Sequence, residues 1–300
     1  MPSAADHFAV QIGRVASACA AVWINLIFSG CSADRPLNPS FPLTYDAARE
    51  DLRRMRANKV ALARPVVVAA GIFDPGAGSK WVGDVLREVT TTPEMVVSTG
   101  FWGCDTFDDC AARLVSKLNE RFPPSAADPM QTVEVDAVAV SMGGVVSRVA
   151  ALRRQPDEPA AKTPRLNMRR LFTIGSPHHG AEWWDRAPWD QRAMDMRPGG
   201  PLLRRLELSW KRARERGAGG TGALDSEAYD VYAYVRLGDQ IVGEENAAGP
   251  DGRLWWVGNP ALEFAHLQAF DDPRILVDIA RRLRGEAPFT TEPAAPLPAR

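Results

Sequence analysis

With 300 residues and an apolar fraction of 45%, the chain can bury one sizeable core. Its 36 Lys and Arg against 37 Asp and Glu remove any electrostatic case for nucleic-acid binding. No repeat of solenoid or propeller period stands out, and no cysteine has a Cys or His neighbour at ligand spacing, so neither metal nor other cofactor is expected.

The first feature in chain order is an apolar run, Val15 to Phe28, with Arg14 before it and Phe28-Ser29-Gly30-Cys31-Ser32 at its end. The run has the length of a signal-peptide core and is short for a bilayer span. Small residues before a cysteine, followed by a polar Pro-rich stretch from Asp34 to Pro42, resemble a bacterial lipoprotein signal. The resemblance implies a signal over residues 1–30, lipid on Cys31, a tether over 31–43 and a membrane anchor in the cell envelope. Ser32 after the cysteine points to the outer membrane, facing the periplasm. In that compartment Cys104 and Cys110 are either a disulfide or two free thiols, because sequence carries no geometry.

From Asp46 to Ala57 apolar residues alternate with charges as on a surface helix. Val66 to Gly71 is short, apolar and β-branched, the pattern of a strand covered on both faces. A helix follows at Trp81–Val89, a strand at Met95–Ser98, and an amphipathic helix at Phe107–Phe122 closed by Pro123-Pro124. Val133–Val140 predicts a third strand, Val145–Leu152 a helix, and Leu171–Gly175, Val231–Val235 and Leu254–Val257 three more strands. Pro273–Leu283 is the last helix. From 285 to 300 the Pro/Ala-rich composition predicts a disordered tail. Strands alternating with helices imply an α/β fold with a mostly parallel sheet, whose sites lie at the carboxyl ends of the strands.

Ser141 meets that requirement. It stands between a strand and an apolar helix in Ala139-Val140-Ser141-Met142-Gly143-Gly144. A serine on such a sharp turn needs small neighbours two residues to either side. The usual Gly-x-Ser-x-Gly form has glycine where this chain has Ala139. The plain alternative is a helix-capping serine. A nucleophilic serine needs a base, and the base needs an acid to orient it. Of the four histidines, His7 lies in the signal, and His178 and His179 follow the fourth strand. Those two read as shaping the mouth of the site, with base chemistry the lesser alternative. His266 follows the last strand and lies beyond every plausible acid, in the order serine, acid, histidine. Asp239, after the fifth strand, is the acid. The oxyanion donors are the backbone N–H groups of Met142 and Ile72, with Gly71 permitting the turn after the first strand.

The segments AAGIFD, AVSMGG, TIGSPHHGAEWW, MRPGGPLLRRLE, LGDQIV and FAHLQAFDDPRILVDIARRL, in this order, resemble the α/β-hydrolases of the bacterial lipase and esterase type. Ala70 and Ala139 depart from the family pattern, which has His and Gly there. The resemblance implies an α/β-hydrolase domain over 44–284, a helical lid inserted at about 181–229, and a carboxylic-ester or lipid substrate. Leu202, Leu203, Leu206 and Trp210 have helical spacing within that insertion, suiting either a lid with an apolar underside or a helix that completes the core. Gly217 to Gly222 would let a lid move. The expectation is a serine hydrolase. An acyltransferase of the same fold and an inactive envelope binding lipoprotein are the alternatives.

Overall fold

Val66-Val67-Val68-Ala69 is apolar at every position because both of its faces are covered. The computed structural model of the protein describes residues 36–154, 157, 162–181, 190–218, 228–260 and 263–299, without the side chains of 217 and 218. Pro36–Asn259 and Phe264–Arg300 form one compact unit. The expected signal peptide and Cys31 fall outside the described residues.

The elements are α1 (Tyr45–Ala57), β1 (Val66–Ala69), α2 (Ala77–Glu88), β2 (Val96–Thr99), α3 (Phe107–Asn119), β3 (Gln131–Val140) and α4 (Met142–Ala150). There follow β4 (Arg165–Ile174), α5 (Gln191–Asp195), α6 (Pro201–Ala218), β5 (Asp230–Arg236), β6 (Trp255–Val257), α7 (Ala265–Gln268) and α8 (Pro273–Leu283). The strands form a six-stranded sheet in the order β2-β1-β3-β4-β5-β6, and every pairing is parallel. Alternate residues of each strand feed opposite faces. Val67, Val135, Ala137 and Ala139 enter one apolar layer with α3, α4 and α6. Val66, Val68, Val138 and Val140 enter the other with α1, α2 and α8. This is the expected α/β-hydrolase architecture, a parallel sheet flanked by helices on both faces.

The strand order also positions the site. The chain goes from β1 outward to β2, then returns so that β3 lies on the other side of β1. Connections leave β1 and β3 in opposite directions, which opens a crevice at their carboxyl ends. Among the described residues no helix is long and apolar enough to cross a membrane.

Three sequence expectations need correction. Strand β4 begins at Arg165 rather than Leu171, its first half pairing with β3 through irregular register. That half alternates half-buried and buried residues, with Arg170 outward and paired to Asp136 at 2.6 Å. The expected tether is packed from residue 36 onward: Asn38, Ser40, Phe41 and Leu43 are buried, and Asn38 Nδ2 donates to the Trp256 carbonyl at 2.9 Å. The expected disordered tail is likewise ordered, up to Ala299, along the β6 edge. Asp278, fully buried on α8, accepts from the N–H groups of Phe289 (2.5 Å) and Thr290 (3.0 Å), the Thr290 hydroxyl (2.8 Å) and the Tyr234 phenol (2.8 Å). The Trp255 and Trp256 indoles donate to the carbonyls of Thr291 and Pro296. A Pro-rich composition lacks internal hydrogen bonds, but this tail obtains partners from the sheet edge it covers.

Candidate active site

Ser141 has φ 50° and ψ −124°, a conformation that side chains other than glycine seldom adopt. Strain of this kind costs on the order of 1–3 kcal/mol and persists only where surroundings fix it. Here the Ser141 N–H donates to the Ile174 carbonyl at 2.9 Å, continuing the β3–β4 ladder through the turn. The small neighbours are needed for contact. A Cβ on Gly143 would lie 2.5 Å from the Ala69 carbonyl oxygen, and one on Gly144 would lie 2.4 Å from Ser176 Oγ. Ala139 is fully buried in β3 beside Ala69 and Thr173, and its methyl is accommodated there.

His266 enters from α7 and Asp239 from the turn after β5. His266 Nε2 lies 3.0 Å from Ser141 Oγ, and its Nδ1 lies 2.8 Å and 3.0 Å from the two Asp239 carboxylate oxygens. Asp239 Oδ1 also accepts from the Ile241 and Val242 N–H groups at 3.0 and 2.9 Å. Burial pushes the Asp239 carboxyl up, but the hydrogen bond and charge of His266 and the two amides outweigh it and leave it below the ordinary value. The ionised acid therefore faces Nδ1–H, which leaves Nε2 as the acceptor toward the serine hydroxyl.

Gly71 passes directly against this serine: a Cβ on it would stand 3.4 Å from Ser141 Cβ and 3.9 Å from Oγ. Ile72 follows Gly71, and Met142 opens α4 directly after Ser141. Among the described residues neither amide donates to a protein acceptor. Phe73 holds φ 59°, so the chain turns sharply just past Ile72. The Met142 amide also carries the positive end of the α4 dipole.

Sequence reading placed Ser141, His266 and Asp239 on separate segments, and the fold brings them into hydrogen-bonding series. It does not bring His178 to them. His178 does not shape the mouth: it is buried, with Nδ1 at 3.2 Å from Arg148 Nη1 and Nε2 at 3.0 Å from Thr173 Oγ1. Both ring nitrogens are thus engaged inside the core. Cys104 and Cys110 are buried free thiols, and burial first, with Cys104 beside it, pushes the Cys110 thiol up to about 12.

In the insertion, α6 buries Leu203, Leu206 and Trp210 in the core, with Ala213 buried beside them. Trp183, Trp184, Trp189, Gly219, Gly220 and Gly222 lie outside the described residues. Sequence reading missed Arg148, whose only signal is one charge inside the apolar run Val145–Leu152. It also missed Glu244, which accepts from the Gly238 N–H at 2.6 Å and holds the Asp239 turn, and Trp81, whose indole donates to Asp271 at 2.8 Å across the chain.

No protein-family profile matches the chain, and no curated protein matches its sequence. Solved structures do resemble it. Phospholipase PlaB from Legionella pneumophila in complex with thio-NAD is 12% identical, with a TM-score of 0.46 over 74% of this chain and 58% of that one. The Bacillus licheniformis lipase BlEst2 in its propeptide form is 17% identical, with a TM-score of 0.43 over 77% of this chain and 52% of that one. A cutinase-like protein from Cryptococcus sp. is 16% identical, with a TM-score of 0.35 over 76% of this chain and 98% of that one. The chain spans 58% and 60% of the length of the two PlaB structures it matches. Likenesses this distant assign no reaction. By its own strand order and crossovers, the chain has the fold of the α/β-hydrolases, with a serine, a histidine and an aspartate hydrogen-bonded in series at the ends of its strands.

Proposed function

We propose that the protein is a serine hydrolase of carboxylic esters. The observation that carries this reading is the position of His266, 3.0 Å from Ser141 Oγ on one side and 2.8 Å from Asp239 on the other. Ser141 Oγ attacks the ester carbonyl carbon while His266 Nε2 takes its proton. The carbonyl oxygen gains negative charge, which the Ile72 and Met142 amides stabilise. Collapse breaks the bond to the alcohol, which leaves with the proton from His266, and Ser141 carries the acyl group. Water, deprotonated by His266, attacks that acyl-enzyme and releases the acid. Asp239 stays ionised throughout, orients the ring and balances its transient charge.

The substrate is of acyl or lipid character. Phe73 lies beside Ile72, Phe264 and Leu267 flank His266, Trp102 follows β2, and all are exposed large apolar groups at the carboxyl ends of the strands. Singly exposed apolar residues are ordinary, but four bulky ones on segments that follow strand ends, with Trp81 on the helix after β1, suit an acyl chain or a lipid surface. Lipid on Cys31 would hold the domain at the outer membrane facing the periplasm, in keeping with the lipoprotein-like sequence before the fold.

The test combines a fluorophosphonate probe with a series of esters of increasing acyl length. Ser141 is expected to take the probe in folded protein, and Ser141→Ala to lose both adduct and turnover. Folded protein that takes no adduct at Ser141 would refute the reading. For the anchor, mass spectrometry of the membrane fraction should find diacylglyceryl on Cys31, and Cys31→Ser should release the protein.

A further inference from the structure

Away from the crevice, near the end of α4, Arg148 is 1% exposed. Its Nη1 faces Nδ1 of His178, which is a neutral ring. Its Nε and Nη2 have no acceptor within hydrogen-bond geometry among the described residues, and the neutral Tyr229 phenol is the polar group that interacts with it alongside. An arginine cannot shed its proton to escape burial. No carboxylate of the described residues pairs with it. Glu207 on α6 is the acid that feels its charge through space, but that carboxylate turns to Lys211 at 2.6 Å. A buried charge without a partner costs several kcal/mol, so a group of opposite sign belongs beside it.

A cleft lies against the arginine, between α4 and α6. Leu152, Leu206 and Trp210 form its apolar part, and Ser209 and Tyr229 bring hydroxyl groups to the same wall as Arg148. It takes one group of about the size of a water. A single guanidinium calls for a single negative charge.

We infer that this cleft binds one small monovalent anion, a halide or a single carboxylate, held by Nε and Nη2 of Arg148. The Ser209 and Tyr229 hydroxyls complete its shell. The bound anion neutralises Arg148 and ties α6 onto α4, the helix that starts at Ser141. The inference is independent of the ester-hydrolase reading, because it concerns binding and stability and involves none of the groups assigned to the reaction.

The test uses the full chain and the chloride ion, observed by 35Cl line width at constant ionic strength, with isethionate as the matched bulky salt. Chloride should broaden, bromide should reverse the broadening, and acetate and octanoate should displace it if a carboxylate is the occupant. Displacement by halide alone identifies a free halide, and tighter displacement by octanoate than by acetate identifies a fatty-acid carboxylate. Arg148→Met should abolish the effect. Because that variant can misfold, Ser209→Phe is the second arm: it fills the cleft from a half-buried helix position and leaves Arg148 in place. It should reduce the excess width roughly tenfold or more with circular dichroism unchanged. The unfolding midpoint should rise by roughly 5 °C when the occupant reaches about a hundred times its Kd, and this rise should vanish in Ser209→Phe. A carboxylate that raises the midpoint without any chloride broadening also supports the site, provided Ser209→Phe removes the rise. Broadening that survives in Ser209→Phe places the anion elsewhere and overturns the inference. So does a midpoint equal in chloride, acetate, octanoate and isethionate with no broadening, which would mean that water fills the cleft.

Discussion

Arg148 donates to His178 Nδ1 at 3.2 Å, and this contact fixes the histidine's tautomer. A guanidinium has only donors, so Nδ1 accepts, and the ring's hydrogen sits on Nε2, facing Thr173 Oγ1 at 3.0 Å. Burial first, then the charge of Arg148 and of neighbouring His179, hold His178 well below the ordinary histidine value.

A stability consequence follows with a definite sign. The unfolded chain binds a proton at His178 below about pH 6.5, whereas the folded one refuses it. The stability linked to this residue is complete above that value and declines as pH falls toward the folded pKa. The expected slope is about 1.4 kcal/mol per pH unit from this one group. His178→Gln can accept from Arg148 and donate to Thr173 without titrating. Urea unfolding at about pH 7.5 and about pH 5.5 should show a smaller pH loss in the variant.

Gly143→Ala sets a methyl 2.5 Å from the Ala69 carbonyl oxygen and 2.6 Å from that of Ala70. Both are backbone atoms of the strand end that leads to Gly71, so relief has to move the turn. The variant should lose about 1–3 kcal/mol of stability and most of its fluorophosphonate labelling. Ala139→Gly, which restores the commoner pattern, should gain nothing and cost about 0.5–1 kcal/mol as a glycine within a strand. Thermal melts and labelling rates of both variants check this.

Asp239→Asn keeps the shape of the acid but can present an amide N–H to His266 Nδ1. That would turn the ring's hydrogen to the serine side, where an acceptor is needed. Ester turnover should fall on the order of ten-thousandfold while the fold is retained. Unchanged turnover in this variant would remove Asp239 from the triad.

Truncation after Gly285 tests the tail. It removes the Phe289 and Thr290 donors from Asp278, leaving Tyr234 and Arg282 as its donors among the described residues. The loss should be roughly 3 kcal/mol or more, because an under-satisfied buried charge remains. A dispensable tail would leave the unfolding midpoint where it was.

Trp102→Ser and Phe264→Ser remove exposed apolar groups on segments that follow strand ends, without touching the core. Each should lower turnover of dispersed long-chain esters by roughly tenfold, the worth of one buried apolar side chain. Turnover of a soluble short-chain ester should hardly change, and comparing the two substrates makes the measurement.

Much of this molecule was legible one segment at a time. The β-branched runs at Val66 and Val133 are strands because only a two-sided parallel sheet buries them. Ser141 between small residues is the turn they imply, and the order Ser141, Asp239, His266 singles out one acid and one base. The errors have a common cause. Pro-rich composition at the tail and polar composition before Tyr45 say that these segments lack structure of their own, and that is correct locally. Their order comes from Asp278, Trp255 and Trp256, which belong to other segments.

The sequence by itself determined the elements, their alternation and the residue types at the crevice, because periodicity and backbone sterics act over a few residues. Only the tertiary structure decided which groups meet. The return of β3 beside β1 sets Gly71 against Ser141, and the β5 and α7 ends bring Asp239 and His266 to the same place. The same folding turned His178 inward onto Arg148, which pattern alone could not foresee. Burial and hydrogen-bond partnership are properties of packed surfaces, and no short stretch of chain contains both sides of one.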